Sequence, residues 1–392
     1  MKRHYDIVIV GGAVHGSSAA WWLLGADSAL NVLVVEPDPT YQKSATALSV
    51  ASVRSQFSNP VNVEISRFGV DFIRDFQRHV PDGGVPSLGL RENGYLFLGS
   101  TPESAALMED LAQMQRGLGA STRILSRADL AGRYPWMNLD DVEAGSLGER
   151  DEGWFDNMGL LSGFRTSAIQ RGATYLKDRV RGLVAQDGRI AGVDLQDQGR
   201  VTADLVLVAA GTGATDILGT LDLAWPVEPR KRTVFFVDAP NARHPDAPLL
   251  IDHTGIYLRP EHGSWITATV PQDDRACGLD DWDPDHAQFD ETIWPLLYHR
   301  ATGFDAVKVQ RSWVGHYDYN TLDQNAILGP HPGCRGLFVA SGFSGHGLQQ
   351  APAVGRGLSE IMLTGAWQTI DLSPLGVARV LEGRPFLEKA VV

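Results

Sequence analysis

Apolar residues fall into three recurring patterns along the chain. The first is a short unbroken run bordered by glycine. Ile7-Val8-Ile9-Val10 precedes Gly11-Gly12, and Val32-Leu33-Val34-Val35 ends on Glu36. Val201 to Val208 leads into Ala209-Ala210-Gly211-Thr212-Gly213, and Leu337-Phe338-Val339-Ala340 follows Gly336. Such runs predict strands buried on both faces. The second pattern is a stripe at spacings of three and four. Ile65, Phe68, Phe72 and Phe76 follow Ser58-Asn59-Pro60, Leu107, Leu111 and Met114 follow Thr101-Pro102, and Leu161, Phe164 and Ala168 run up to Gly172. Each predicts a helix packed by one face, with a capping side chain ahead of proline in the first two. The third is antiparallel-like, from Trp225 to Trp313. Thr233–Val237, Gly255–Arg259 and Trp265–Thr267 are its strands, and Glu261-His262-Gly263 is a turn between them.

Shorter elements fill the gaps. Pro37 to Phe57 reads as a loop with one helical turn over Ser44–Ser49, and Gly94–Gly99 as a strand bounded by glycines. Ser126-Arg127-Ala128-Asp129 opens a short helix in capping-box style. Ala173–Leu176 is a strand and Val180 with Val184 marks the next; Gly342 to Gly347 leads into a helix ending near Gly365. The expected organisation is an α/β nucleotide domain from residues 1–85, 148–222 and 326–392, and a β-rich α+β second domain from 86–147 and 223–325.

Chemistry enters at Tyr5 to Glu36. Strand, glycine turn, small-residue helix, strand and acid is the order that a dinucleotide site requires. Gly11 permits the tight turn, Gly16 allows close helix packing, and helix-start N–H groups meet a pyrophosphate. Glu36 can accept from the adenosine ribose hydroxyls. Ala13 stands where a second glycine is expected and narrows that approach by one methyl.

Composition excludes more than it assigns. Apolar content of 43% and charged content of 21% are ordinary for a globular chain of 392 residues. A net charge of −13, with no basic block longer than Arg230-Lys231-Arg232, argues against nucleic acid. That triad reads either as a solvated turn or as a partner site. Two cysteines, Cys277 and Cys334, give no disulfide framework. The apolar run before Gly11 is too short for a secretory leader, and no window predicts a membrane span. A cytoplasmic protein is expected. His253, His262 and His331 lack metal-ligand spacing, so no metal is expected. Ser344-Gly345-His346 lacks a nucleophile-elbow context.

Val8 to Gly16, Val35-Glu36, Ala209-Ala210-Gly211 and Gly342-Phe343-Ser344-Gly345-His346-Gly347 together resemble the FAD-dependent oxidoreductases of the D-amino-acid-oxidase (DAO) type, on the sarcosine and glycine oxidase branch. Asp151–Asp156, Pro229–Arg232, Tyr317–Asn325, Gly342–Pro352 and Gln368–Pro374 resemble a narrower group, the FAD-dependent oxidoreductase domain-containing proteins with a mitochondrial member. The resemblance covers nearly the whole chain. It implies a Rossmann-like FAD domain of the glutathione-reductase type and an antiparallel substrate domain. It places the FAD pyrophosphate on Gly11, Gly12, Ala13, Val14, His15 and Gly16, and the ribose on Glu36 and Pro37. Val180 would contact adenine through its backbone, with Ala210 and Gly211 nearby. Ser44, Ala45, Thr46, Leu48, Ser49 and Val50 would border the pyrophosphate, ribityl chain and flavin. Gly342, Gly345, His346, Gly347, Leu348 and Gln349 would hold the flavin's pyrimidine edge, with a helix start near its N1.

The activity implied is hydride removal beside an amine nitrogen of a small secondary amine or amino acid, giving an imine that hydrolyses. Oxygen or another electron acceptor completes the cycle. Arg54 falls where the sarcosine-type relatives place an arginine on the substrate carboxylate, but Gln349 replaces their lysine. Arg54, Tyr257, Tyr317, His346 and Gln349 are the substrate-pocket candidates. His316 stands at the cysteine position used for covalent flavin, so non-covalent FAD is expected. The lysine tied to oxygen activation is replaced around Tyr257, which leaves both oxidase and dehydrogenase open. The narrower group offers an alternative: an FAD-bound protein that binds or assembles a respiratory partner with little amine turnover. A nicotinamide-dependent dehydrogenase is the third reading, opposed by the Gly342–Gly347 loop.

Overall fold

The computed structural model describes residues 2–389 and contains two eight-stranded sheets. The first has the strand order Ile327–Pro330, Leu337–Ser341, Gly199–Val208, His4–Val10, Val32–Glu36, Thr174–Lys177. All pairs along it are parallel except the first. The unbroken apolar runs lie here because both faces are covered. Ile7, Ile9, Val32 and Val34 pack under the helices Val14–Ala26, Pro60–Arg74, Asn157–Gln170 and Gly347–Thr364. Val8, Val10, Leu33 and Val35 face the hairpin Val180–Gln186 and Arg189–Leu195 on the other side. Trp21 sits within the helical layer, edge-on to Phe72 at 5.8 Å. Parallel order leaves the loops after Val10, Glu36 and Val208 at one edge, where a ligand crevice forms.

The second sheet runs Lys308–Asn320, Val227–Asp238, Ser264–Thr269, Ile256–Glu261, Leu249–Ile251, Tyr95–Gly99, Ala144–Gly148, Thr122–Ser126. It is antiparallel except where Leu249–Ile251 meets Tyr95–Gly99. The expected turn at Glu261–Gly263 closes a hairpin, with His262 and Gly263 both at positive φ. The molecule has the mixed α/β fold expected.

Several local expectations change. The strands Arg189–Leu195 and Leu249–Ile251, and the full length of Lys308–Asn320, were not marked by apolar pattern. Arg230-Lys231-Arg232 is no turn: it lies within the strand Val227–Asp238. Asn59 precedes the helix Pro60–Arg74 as expected, but its side chain makes no cap. Buried Glu388 ties down the segment ahead of that helix, accepting Ser58 N–H at 2.8 Å and Asn62 Nδ2–H at 2.9 Å. By contrast, Ser126 with Asp129 forms the expected capping box.

Candidate functional site

Gly11 adopts φ +98° and donates to Val35 O at 2.9 Å, which turns the chain off its strand. A Cβ there would lie 2.4 Å from Ala209 O, and one on Gly16 would lie 1.9 Å from Gly11 O. Both positions therefore require glycine for close backbone approach. Glu36 accepts Gly12 N–H at 2.8 Å and Asp38 N–H at 2.9 Å. Burial raises its pKa against those two N–H groups. Each carboxylate oxygen keeps a lone pair for a hydroxyl. Thr46 Oγ1 sits 3.4 Å from Val14 N, and Ser44 caps its own helical turn by accepting Ala47 N–H at 3.1 Å. His15 stacks on Phe343 at 3.8 Å, and burial holds its pKa down to about 3, so the ring is neutral.

These groups open on one cavity of about 730 Å³. Of the predicted cofactor positions, Gly11, Ala13, Val14, His15, Glu36, Pro37, Ser44, Ala45, Thr46, Leu48, Ser49, Val50, Val180, Ala210, Gly211, Gly345, Gly347 and Leu348 line it. The substrate candidates Arg54, Tyr257, Tyr317, His346 and Gln349 line it too. Gly12, Gly16 and Gly342 stand behind its wall. Gly342 is held from the rear, its N–H donating to Asp318 Oδ2 at 2.8 Å, as does Phe343 N–H at 3.2 Å. Burial lifts Asp318 to about 6 despite these bonds. Asp318 thus shapes the loop ahead of the helix Gly347–Thr364, and a Cβ on Gly345 would lie 2.3 Å from the Tyr317 ring.

At the far end Arg54 is buried, its guanidinium 4.0 Å from the Phe57 ring centre. Gln349 does not extend toward substrate as the replaced lysine would. Its Oε1 accepts Arg54 N–H at 2.6 Å, and its Nε2 donates to Arg54 O at 3.0 Å and Ser66 Oγ at 2.9 Å. The amide is fully engaged as a strut for the Arg54 backbone. We expect Gln349→Leu to strand two buried peptide groups, at a cost of about 1–3 kcal/mol each. Chemical denaturation should detect the loss, whereas a variant as stable as the parent would refute the strut. His346 donates Nε2–H to Gln324 O at 3.1 Å, and burial lowers its pKa. Burial also raises the phenols of Tyr95, Tyr257 and Tyr317, which stay protonated donors at neutral pH.

Two supports escaped the sequence. Glu152, inside the Asp151–Asp156 block, accepts Ser55 N–H at 2.9 Å and Gln56 Nε2–H at 2.9 Å, fixing the chain beyond Arg54. Burial pushes its carboxyl up to about 7. A carboxyl raised in the folded state adds stability that is complete below its unfolded value of 4.5 and is lost as pH rises through 7. Parent protein should therefore lose on the order of 1–3 kcal/mol more than Glu152→Gln between pH 4.5 and 7. Parallel urea curves for the two proteins across that window would contradict it. Arg232, also cavity-lining, is buried, pairs with Asp274 at 2.6 Å and 3.0 Å, and lies 5.0 Å from the Tyr317 ring. Its alternation in the strand, not its place in a basic triad, was the available signal.

A flattened glycine cradle, an acid at the second strand end and one continuous cavity to a phenol- and guanidinium-lined end fit an extended FAD. The profile of the FAD dependent oxidoreductase family, DAO, matches residues 6–361. The chain belongs to the DAO family of FAD-dependent oxidoreductases. This oxidoreductase is 38% identical to FAD-dependent oxidoreductase domain-containing protein 1 of Xenopus laevis, over 99% of this chain and 85% of that protein. It is 22% identical to monomeric sarcosine oxidase of Bacillus sp. (strain B-0618), over 97% of each. The L-proline dehydrogenase of P. horikoshii has the same fold, with a TM-score of 0.86 at 22% identity, covering 98% of this chain and all of that one. Among the described residues no helix is long and apolar enough to cross a membrane.

His316, which the resemblance sets at the linking-cysteine position, stacks on Trp282 at 4.0 Å and contacts Asp281 O through Nε2 at 2.7 Å. Neither cysteine lines the cavity. Acid precipitation is expected to leave the yellow chromophore in the supernatant; colour in the pellet would show a covalent link.

Proposed function

We propose that this oxidoreductase oxidises the C–N bond of a small secondary amine or N-methylated amino acid, giving an imine that hydrolyses. The observation carrying the reading is the buried Arg54 beside three protonated phenols at one end of the FAD cavity, where the other guanidinium, Arg232, is already paired with Asp274. Gly11 to Gly16, Glu36 and the Gly345–Gln349 segment would hold FAD, which supplies the hydride acceptor when bound. The chain's own residues then have three tasks. Arg54 binds the substrate carboxylate by charge-assisted hydrogen bonds. Its positive field disfavours an ammonium nearby, so the amine binds neutral, with the lone pair that hydride loss from the adjacent carbon requires. Val234, Leu249 and Ile251 line the same end and exclude water. No side chain need act as a strong base.

The names of the sarcosine oxidase and the L-proline dehydrogenase support a secondary amine, since sarcosine and proline both carry one. The test is anaerobic flavin bleaching across a panel of N-methyl and cyclic amino acids, followed by oxygen or an artificial acceptor. Bleaching by N-methyl amino acids and not by the matching primary amines is expected. FAD-loaded protein inert to the whole panel would overturn the reading and favour a partner-binding role.

A further inference from the structure

A second groove, of about 660 Å³, shares the wall residues Leu48 and Ser49 with the cofactor cavity. Arg91, Arg259 and Arg311 line it, together with Trp154 and Trp313. In a chain of net charge −13, three guanidiniums around one groove run against the overall balance. The acids beside them are already engaged. Glu261 pairs with Arg259, and Asp156 accepts Gly159 N–H at 2.8 Å at the start of a helix. Among the described residues neither Arg91 nor Arg311 has an ion-pair partner. Arg259 is only 5% exposed, yet its Nε has no partner, and burial lowers its pKa. Arg259 is already paired with Glu261, so the charge in the groove left for an added anion is that of Arg91 and Arg311. Its guanidinium lies 5.0 Å from the Trp154 ring, and that of Arg311 lies 5.7 Å from Trp313, so flat rings border the charges.

We propose that this groove binds a small anion carried on a planar ring, an aryl carboxylate or aryl phosphate. Arg91 and Arg311 meet the anion, while the tryptophans contact the ring. The site touches the cofactor wall directly. Trp313 Nε1–H donates to Leu48 O at 3.0 Å and Arg259 Nη2–H to Val50 O at 3.1 Å, and Leu48 and Val50 both face the cofactor cavity. An occupant therefore bears on the wall that borders the flavin.

Titration calorimetry on the FAD-loaded protein tests this with phenyl phosphate and benzoate, alongside inorganic phosphate and benzamide, which each carry one feature alone. Saturable binding of one equivalent is expected for phenyl phosphate or benzoate, and whichever is tighter identifies the anion. Inorganic phosphate and benzamide should bind at least tenfold more weakly. The double variant Arg91→Glu with Arg311→Glu should weaken binding at least tenfold while keeping FAD content and melting temperature. Arg54→Met should leave it unchanged. Absence of saturable binding, survival in the double variant, or loss in Arg54→Met would each overturn the assignment, the last by placing the anion in the substrate end.

Discussion

Valine in place of Gly16 is expected to give a protein that purifies without FAD. Even the first carbon of the new side chain would lie 1.9 Å from Gly11 O and 3.2 Å from Ile9 Cγ2, so the helix Val14–Ala26 must move off its strand. That movement withdraws the helix start from the proposed pyrophosphate position, and overpacking of this kind costs about 1–3 kcal/mol. Gly11→Val should behave alike, since Gly11 also needs φ +98°. Ala13→Gly is the control. It removes one methyl from the cavity wall and should retain the cofactor, measured as the ratio of flavin absorbance to protein absorbance. If Ala13→Gly emptied the site while Gly16→Val stayed yellow, the pyrophosphate placement would be wrong.

Arg54→Met should raise KM for an amino-acid substrate about 100-fold, the scale of a lost charge-assisted hydrogen-bond pair. An amine of the same size without a carboxylate should show little change, and that contrast separates substrate contact from general damage. Reductive half-reactions with both substrates read the difference directly. Equal losses on both would reduce Arg54 to a packing residue.

What was legible in the sequence was what local chemistry encodes. Gly11, Gly16 and Glu36 lie within one strand–helix–strand unit, so spacing alone suggested their joint role. Both elements of the Gly342–Gly347 loop, apolar strand before and helix after, are also local. Gln349 was visible only as a missing lysine, because its partner is the Arg54 backbone 295 positions away. Arg232 was obscured by its neighbours. A run of three cations has no apolar period, and the acids that permit it in a strand, Asp274 and Asp281, come from a later segment. Asp318 and Glu152 were hidden for a related reason: Asp318 serves two backbone N–H groups and Glu152 one backbone N–H and the Gln56 amide, all from segments distant in sequence.

The tie that Glu388 makes to the segment ahead of the helix Pro60–Arg74 bears on how this protein is made. That helix packs against Gly347–Thr364, and a Cβ on Gly69 would lie only 2.4 Å from Gln349 O. The strand beside Gly199–Val208 also arrives late, at Leu337. Chain emerging from a ribosome can pair His4–Val10 with Val32–Glu36 early, but the cradle's opposite wall does not yet exist. Contacts of such long sequence separation form slowly. Flavin capture therefore waits until the segment from Leu337 to Glu388 has closed over the first strands.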